Sequence, residues 1–376
     1  MAIQSGLALV LLTGAARPIN GAPPMTPIAQ RNAAAVNGDD VATSDSATFG
    51  VRTRIKGSTA FTDVAWSPDG DTLSAYANFG RSVEIWSARG TELKQLSRAG
   101  AYIGHSIEFM HDGRTLVTPD ADDSAAGDKL ALTIWNVDRG EIAQNVVGPQ
   151  PAQNWRFNRA VAFALSPDDA ILALISSPLV GQPVTLYATK DWTIERKIPI
   201  GKGPAHPDGA QAMAFSPDDR TLAIGLLGGK VTLLDMSRPD APARTIEIYP
   251  AANLTGVQAL AFSPDSKLLA TGSTKPSVAH GDATPGVEVR RVADGSLVAA
   301  HPTSLAPIRQ LVWCPDGRLV IAAGDDTLRL WSPASPDHDL ASARLSGPVM
   351  AAVLAPDGRA LAAAAGSELT VFALSN

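Results

Sequence analysis

Six histidines, one cysteine and 37 acidic residues are the side chains with which this 376-residue chain could hold a metal or form a covalent intermediate. The histidines stand at positions 105, 111, 206, 280, 301 and 338, and no two share a ligand spacing. Asp120, Asp122, Asp123 and Asp128 offer the hard oxygens that calcium takes, but their spacing departs from that of an EF-hand loop. No Gly-x-Ser-x-Gly, phosphate loop or His-Glu-x-x-His occurs. Cys314 is alone, so it forms neither an intramolecular disulfide nor a cysteine zinc site, and its apolar neighbours mark it as a core thiol. This pattern assigns no catalytic residue, no metal and no cofactor. Binding chemistry is better represented. Trp155-Arg156-Phe157-Asn158-Arg159 brings together the residue types that dominate interface hot spots. Trp155, Arg156, Phe157 and Arg159 are therefore candidate contacts for a protein or peptide partner. The alternative is that Trp155 or Phe157 covers a neighbouring core.

Charge narrows the partner further. Lys plus Arg number 31 against 37 Asp plus Glu, a net charge of −6. An acidic chain repels a phosphate backbone, so nucleic acid is excluded as the expected partner. With 45% hydrophobic and 18% charged residues the chain has ample material for a core, and a monomer is expected.

The elements that would position these residues are set by a repeat. A short strand, then Ser-Pro-Asp-Gly or a variant, then a second strand occurs seven times: AWSPDG, EFMHDG, ALSPDD, AFSPDD, AFSPDS, VWCPDG and VLAPDG. The landmarks Pro68, His111, Pro167, Pro217, Pro264, Pro315 and Pro356 are 41 to 56 residues apart. Pro presets the first corner of a tight turn, Asp bonds the backbone two residues on, and Gly or Asp tolerates the left-handed corner. A third strand follows, ending in Trp86, Trp135, Tyr187, Leu234, Arg290, Trp331 or Phe372, and in most copies a more polar fourth, such as Glu92–Ser97 and Thr193–Ile200. Four short antiparallel strands repeated seven times predict an all-β fold, a seven-bladed β-propeller.

These segments resemble WD-repeat propellers in the Ser-Pro-Asp-Gly turn, the third strand ending in Trp or a substitute, and the repeat length. The resemblance covers Phe49 to the C-terminus. It implies the fold and a scaffold role. It departs from the family in lacking a true Trp-Asp pair, since Trp86-Ser87, Trp135-Asn136 and Trp331-Ser332 come nearest. The family's Gly-His pair is also missing from its expected place. Asp325 fits the family's turn Asp, without the His partner.

The seventh repeat supplies three strands, and Thr48–Ile55, in which Phe49, Val51 and Ile55 alternate with polar or small residues, is expected to supply its fourth. The apolar columns Trp66, Phe109, Leu165, Phe215, Phe262, Trp313, Leu354 and Val64, Ile107, Phe163, Met213, Leu260, Leu311, Ala352 read as blade-to-blade packing. At the start of the first strands, Thr62, His105, Gln211, Gln258 and Arg309 are expected to ring one mouth of the channel. His105, Gln211, Gln258 and Arg309 join the candidate partner contacts. Long connections are expected at Pro119–Lys129, Ser176–Pro183, Ser273–Gly286, Gly148–Arg159 and Gly201–Gly209, gathered on that same face, as in repeat proteins whose insertions mark a binding face.

Ahead of the repeats, 1–16 contains the apolar run Gly6 to Ala16, too short for a membrane-spanning helix and suited to a signal peptide, although Met1 to Ser5 carries no Lys or Arg. Residues 17–47 read as a linker and 48–376 as the propeller. The expected location is periplasmic or extracellular, with cytoplasmic as the alternative and no transmembrane span in the mature chain. The function expected is a non-catalytic scaffold that binds a protein or peptide through the loop-rich face. One alternative is an envelope accessory propeller, which AWSPDG in the first repeat also resembles. Another is a lactonase-like enzyme, for which Glu108, His105 and Arg309 are the available residues.

Overall fold

The computed structural model describes residues 48–77, 82–97, 101–103, 106–122, 130–147, 162–175, 183–200, 209–238, 240–248, 256–273, 286–301 and 307–375. All of them lie in the compact unit Arg31–Asn376. No helix occurs among them. The strands form seven antiparallel sheets in chain order, so the fold is the seven-bladed propeller that the repeat predicts.

The first blade shows the scheme: Val64–Trp66, Thr72–Ala77, Ser82–Ser87 and Glu92–Ser97 pair consecutively. The turn between its first two strands is built by the landmark residues. The N–H of Gly70 donates to the Ser67 carbonyl at 2.9 Å. Ser67, Ser166, Ser216 and Ser263 each donate their hydroxyl to the Asp two residues on, at 2.5–2.7 Å. Each hydroxyl also accepts the N–H five residues on, at 2.9–3.0 Å. The fourth turn residue is left-handed in all seven copies, with φ between +59° and +86°. Pro ahead of it, in six of the seven copies, and a small or Asx residue at it suit that geometry.

Buried apolar side chains fall into seven clusters among the described residues, and each joins two neighbouring blades. The third-strand ends Trp86, Trp135, Tyr187 and Trp331 are all within 3% of complete burial. One cluster joins the first blade to the last, packing Phe61, Trp66 and Leu73 on Ala362, Leu369 and Val371. The ring therefore closes on itself. Phe49–Lys56 completes the last blade by pairing with Glu368–Leu374. Ser58 then bonds the buried Glu84 carboxylate through both its N–H and its hydroxyl, tying the N-terminal strand to the first blade.

Three local expectations are corrected. A bulge between Val51 and Thr53 shifts the side-chain phase, so Val51 is 47% exposed while Ile55 is fully buried. In the second blade Thr115–Asp122 runs three residues past the expected start of a connection at Pro119, because Ala101–Ile103 pairs with its far end. That blade thus carries a fifth short strand, its inner position being shared by Ala101–Ile103 and Glu108–Phe109. Finally, Thr193–Ile198 ends two residues before the expected Ile200, at Pro199, which has no N–H to extend a ladder.

Candidate functional site: the central channel

The first strand of each sheet is its inner edge, so half of its N–H groups have no strand partner and face the channel. Side chains from the preceding blade meet three of them. Asp63 accepts from the Ile107 N–H at 3.0 Å and from the Val64 N–H at 2.8 Å. Glu108 accepts from the Leu165 N–H at 3.1 Å, and Gln310 from the Ala352 N–H at 2.9 Å. The bonds to Ile107, Leu165 and Ala352 each cross a blade boundary. Asp63, Glu108 and Gln310 stand in columns otherwise filled mainly by alanine, such as Ala212, Ala259 and Ala351 beside Asp63, so a polar residue there was a legible signal.

Between these walls is a cavity of about 490 Å³. Thr62, Gln211, Gln258 and Arg309 line it, as their place at the start of the inner strands requires. Asp63 and Glu108 line it as well, each half-buried and hydrogen-bonded to backbone. Desolvation pushes the Asp63 carboxyl up to about 7, against the pull of the Val64 and Ile107 N–H groups. It pushes Glu108 up to about 8, with the Leu165 N–H opposing and the charges of Asp63 and Asp169 adding to the rise. Cys314 is 1% exposed, and its thiol is pushed up to about 11 chiefly by burial, which makes it a core residue rather than a nucleophile.

His105 and the segment Trp155, Arg156, Phe157 and Arg159 lie outside the described residues, as does most of each long connection. Of the enzyme candidates, Glu108 and Arg309 both line the cavity but form no ion pair with each other; Glu108 is bonded to backbone. Asp120 and Asp122 lie on the extended strand of the second blade, whereas Asp123 and Asp128 fall outside the described residues. Among the described residues no group of three or more potential ligands gathers at one point.

Asp325 does find a network. It accepts from Thr327 and, at 2.6 Å, from Arg329, both on the strand that follows its turn. Arg329 also reaches Asp339 at 3.6 Å, and Asp339 bonds His301 Nε2 at 2.9 Å across the boundary between the fifth and sixth blades. His301 stacks edge-on against Trp331 at 5.2 Å. A residue 38 positions away in the next repeat thus serves His301, a pairing that no local spacing reveals.

A family model described as WD domain, G-beta repeat, matches residues 245–278 and 295–332. The second match spans the outer strand Leu297–His301 of one blade and the strands Ile308–Trp313, Leu319–Ala323 and Thr327–Ser332 of the next, the last ending at Trp331. That register coincides with the blades of a seven-bladed ring. The chain is a WD-repeat-like propeller. Comparison with curated proteins gives no match. WD-repeat propellers are commonly protein-interaction scaffolds, and no helix among the described residues is long and apolar enough to cross a membrane.

Proposed function

We propose that this WD-repeat-like propeller is a non-catalytic scaffold that captures a protein or peptide on the face where its inner strands begin. One observation carries the reading. The turn end of those strands is closed by the same internal hydrogen bonds in repeat after repeat, whereas the other end presents Thr62, Gln211, Gln258 and Arg309, side chains that differ from blade to blade. By the antiparallel order, the strand ends that bound the long connections lie on this same side, and Trp155, Arg156, Phe157 and Arg159 belong to one such connection. Aromatic and arginine anchors at an interface centre commonly cost about 2 kcal/mol or more when truncated, roughly 30-fold in affinity.

The experiment is cross-linked capture from the native host. Trp155→Ala with Arg159→Ala, and separately Gln258→Ala with Arg309→Ala, should lose the partner while Tm stays near that of the parent. Arg220→Ala with Arg359→Ala, exposed on the turn face, should retain it. Loss from the turn-face variant alone sinks the reading. The apolar run at Gly6 to Ala16 supports a further proposal, that the chain is exported and cleaved after about residue 16, placing the partner in the envelope or outside the cell. N-terminal sequencing of the native protein tests it, and an intact Met1 on cytoplasmic material would overturn it.

A further inference from the structure

The channel holds two carboxyl groups and a guanidinium that do not meet. Among the described residues Asp63 and Glu108, on adjacent blades, bond only backbone N–H groups, and no Lys, Arg or His pairs with either. Buried carboxylates ordinarily come with a cation. Arg309 lies in the wall of the same cavity, three blades from Glu108 around the ring, exposed and without an ion pair among the described residues. That is the widest separation seven blades allow. The two groups also differ in depth. Arg309 is five residues ahead of its turn residue Cys314, and Glu108 is two ahead of Met110. At about 3.3 Å per residue, and with a bulge between Ile308 and Gln310 shortening the path, the backbone of Glu108 lies somewhat less than about 10 Å deeper along its strand than that of Arg309. Gln211 and Gln258 stand at the level of Arg309 and add amide donors to the mouth.

We propose that the channel binds a small linear zwitterion, its ammonium inward at Asp63 and Glu108 and its carboxylate outward at Arg309 and Gln258. The cavity of about 490 Å³ is within the range of small-ligand sites. Entry is ammonium first, because the acidic wall is the deeper one. Such a ligand supplies the counter-charge that Asp63, Glu108 and Arg309 each lack among the described residues; the site shares Gln258 and Arg309 with the proposed partner face, whereas Asp63 and Glu108 belong to it alone.

Isothermal titration calorimetry on the intact chain at pH 9 tests it, with 4-aminobutyrate, 6-aminohexanoate and 8-aminooctanoate as probes. Hexylamine and hexanoate serve as one-ended controls. At least one ω-amino acid should bind tenfold or more tightly than either control. Arg309→Gln, at an exposed position, should erase the advantage over the amine, and Arg309→Lys should keep most of it. Glu108→Gln, with folding confirmed by its melting curve, should erase the advantage over the carboxylate. The proposal is overturned if no ω-amino acid binds, if hexylamine binds as well as the zwitterions, or if Arg309→Gln leaves their affinity unchanged.

Discussion

At the turn end of the inner strands, four serines make the same pair of hydrogen bonds, and seven successive turns pass through the same left-handed corner. At the channel end, the corresponding positions hold Thr62, Gln211, Gln258 and Arg309. The turn end also joins blades. Asp169 accepts from the His111 N–H of the previous turn at 2.6 Å, and the Ser266 hydroxyl accepts from the Asp218 N–H at 3.2 Å. A non-glycine residue at a left-handed corner costs about 1 kcal/mol, and these cross-turn bonds offset that cost. Repetition marks the end of the strand that maintains the ring. Variation marks the end that is free to recognise something.

The largest expected effect breaks the ring that both regions share. Deleting Thr48–Lys56 removes the outer strand of the last blade and buried Ile55, leaves the Ser58–Glu84 clasp without the strand it ties in, and bares the Glu368–Leu374 edge. The loss should exceed about 4 kcal/mol and be felt at the turn end and the channel end alike. Calorimetry should show the single transition moved far down or gone. A deletion that melts like the parent would refute closure by this strand.

A smaller change separates turns that look identical in sequence. Gly317 and Gly358 both follow Pro-Asp and both have positive φ, +86° and +71°. A Cβ at Gly317 meets nothing within 4 Å, whereas one at Gly358 falls 2.6 Å from the Pro315 Cγ of the neighbouring turn. Gly317→Ala should therefore cost about 1 kcal/mol, for the backbone alone. Gly358→Ala should cost about 2–3 kcal/mol, because it also drives two turns apart. Urea unfolding of the two variants side by side measures the difference. Equal losses would mean that the turns do not bear on one another.

This contrast shows how far the sequence carries the structure. Period and turn chemistry are local, so the seven turns, the third strands ending at Trp86, Trp135 and Trp331, and the closing role of Phe49 and Ile55 could all be read along the chain. What crosses blades could not. That Gly358 meets Pro315, or that Asp63 holds the Ile107 N–H, depends on which residues the ring brings together from 43 or 44 positions apart. The Val51 bulge was hidden for a related reason, since a bulge is fixed by the partner strand and not by the alternation of its own residues. At the channel the polar columns were legible as a ring. Their deep carboxylates became distinctive only once the walls around them were known.

The pH dependence of stability sets the two regions against each other most directly, because they titrate in opposite directions. Serine hydroxyls hold Asp69, Asp168, Asp218 and Asp265 below the usual carboxylate range in the folded protein. Their contribution is present above the unfolded value and is lost as pH falls below it, through the lowered values of the folded state. Asp63 and Glu108 are raised, to about 7 and about 8, so between pH 4 and those values the folded state binds protons that the unfolded state has released. That stability is present below the unfolded value and is lost as pH rises toward 8. Each raised group contributes a slope of at most about 1.4 kcal/mol per pH unit. Tm should accordingly pass through a maximum between the two ranges. Glu108→Gln keeps an oxygen for the Leu165 N–H and removes the proton, so it should flatten the alkaline limb and leave the acid limb untouched. Ser216→Ala should do the reverse, at a cost of about 1 kcal/mol near neutrality. If Glu108→Gln leaves the alkaline limb as steep as in the parent, the channel carboxylate is not the group being titrated. The opposition between the two ends of the strands then fails at its electrostatic step.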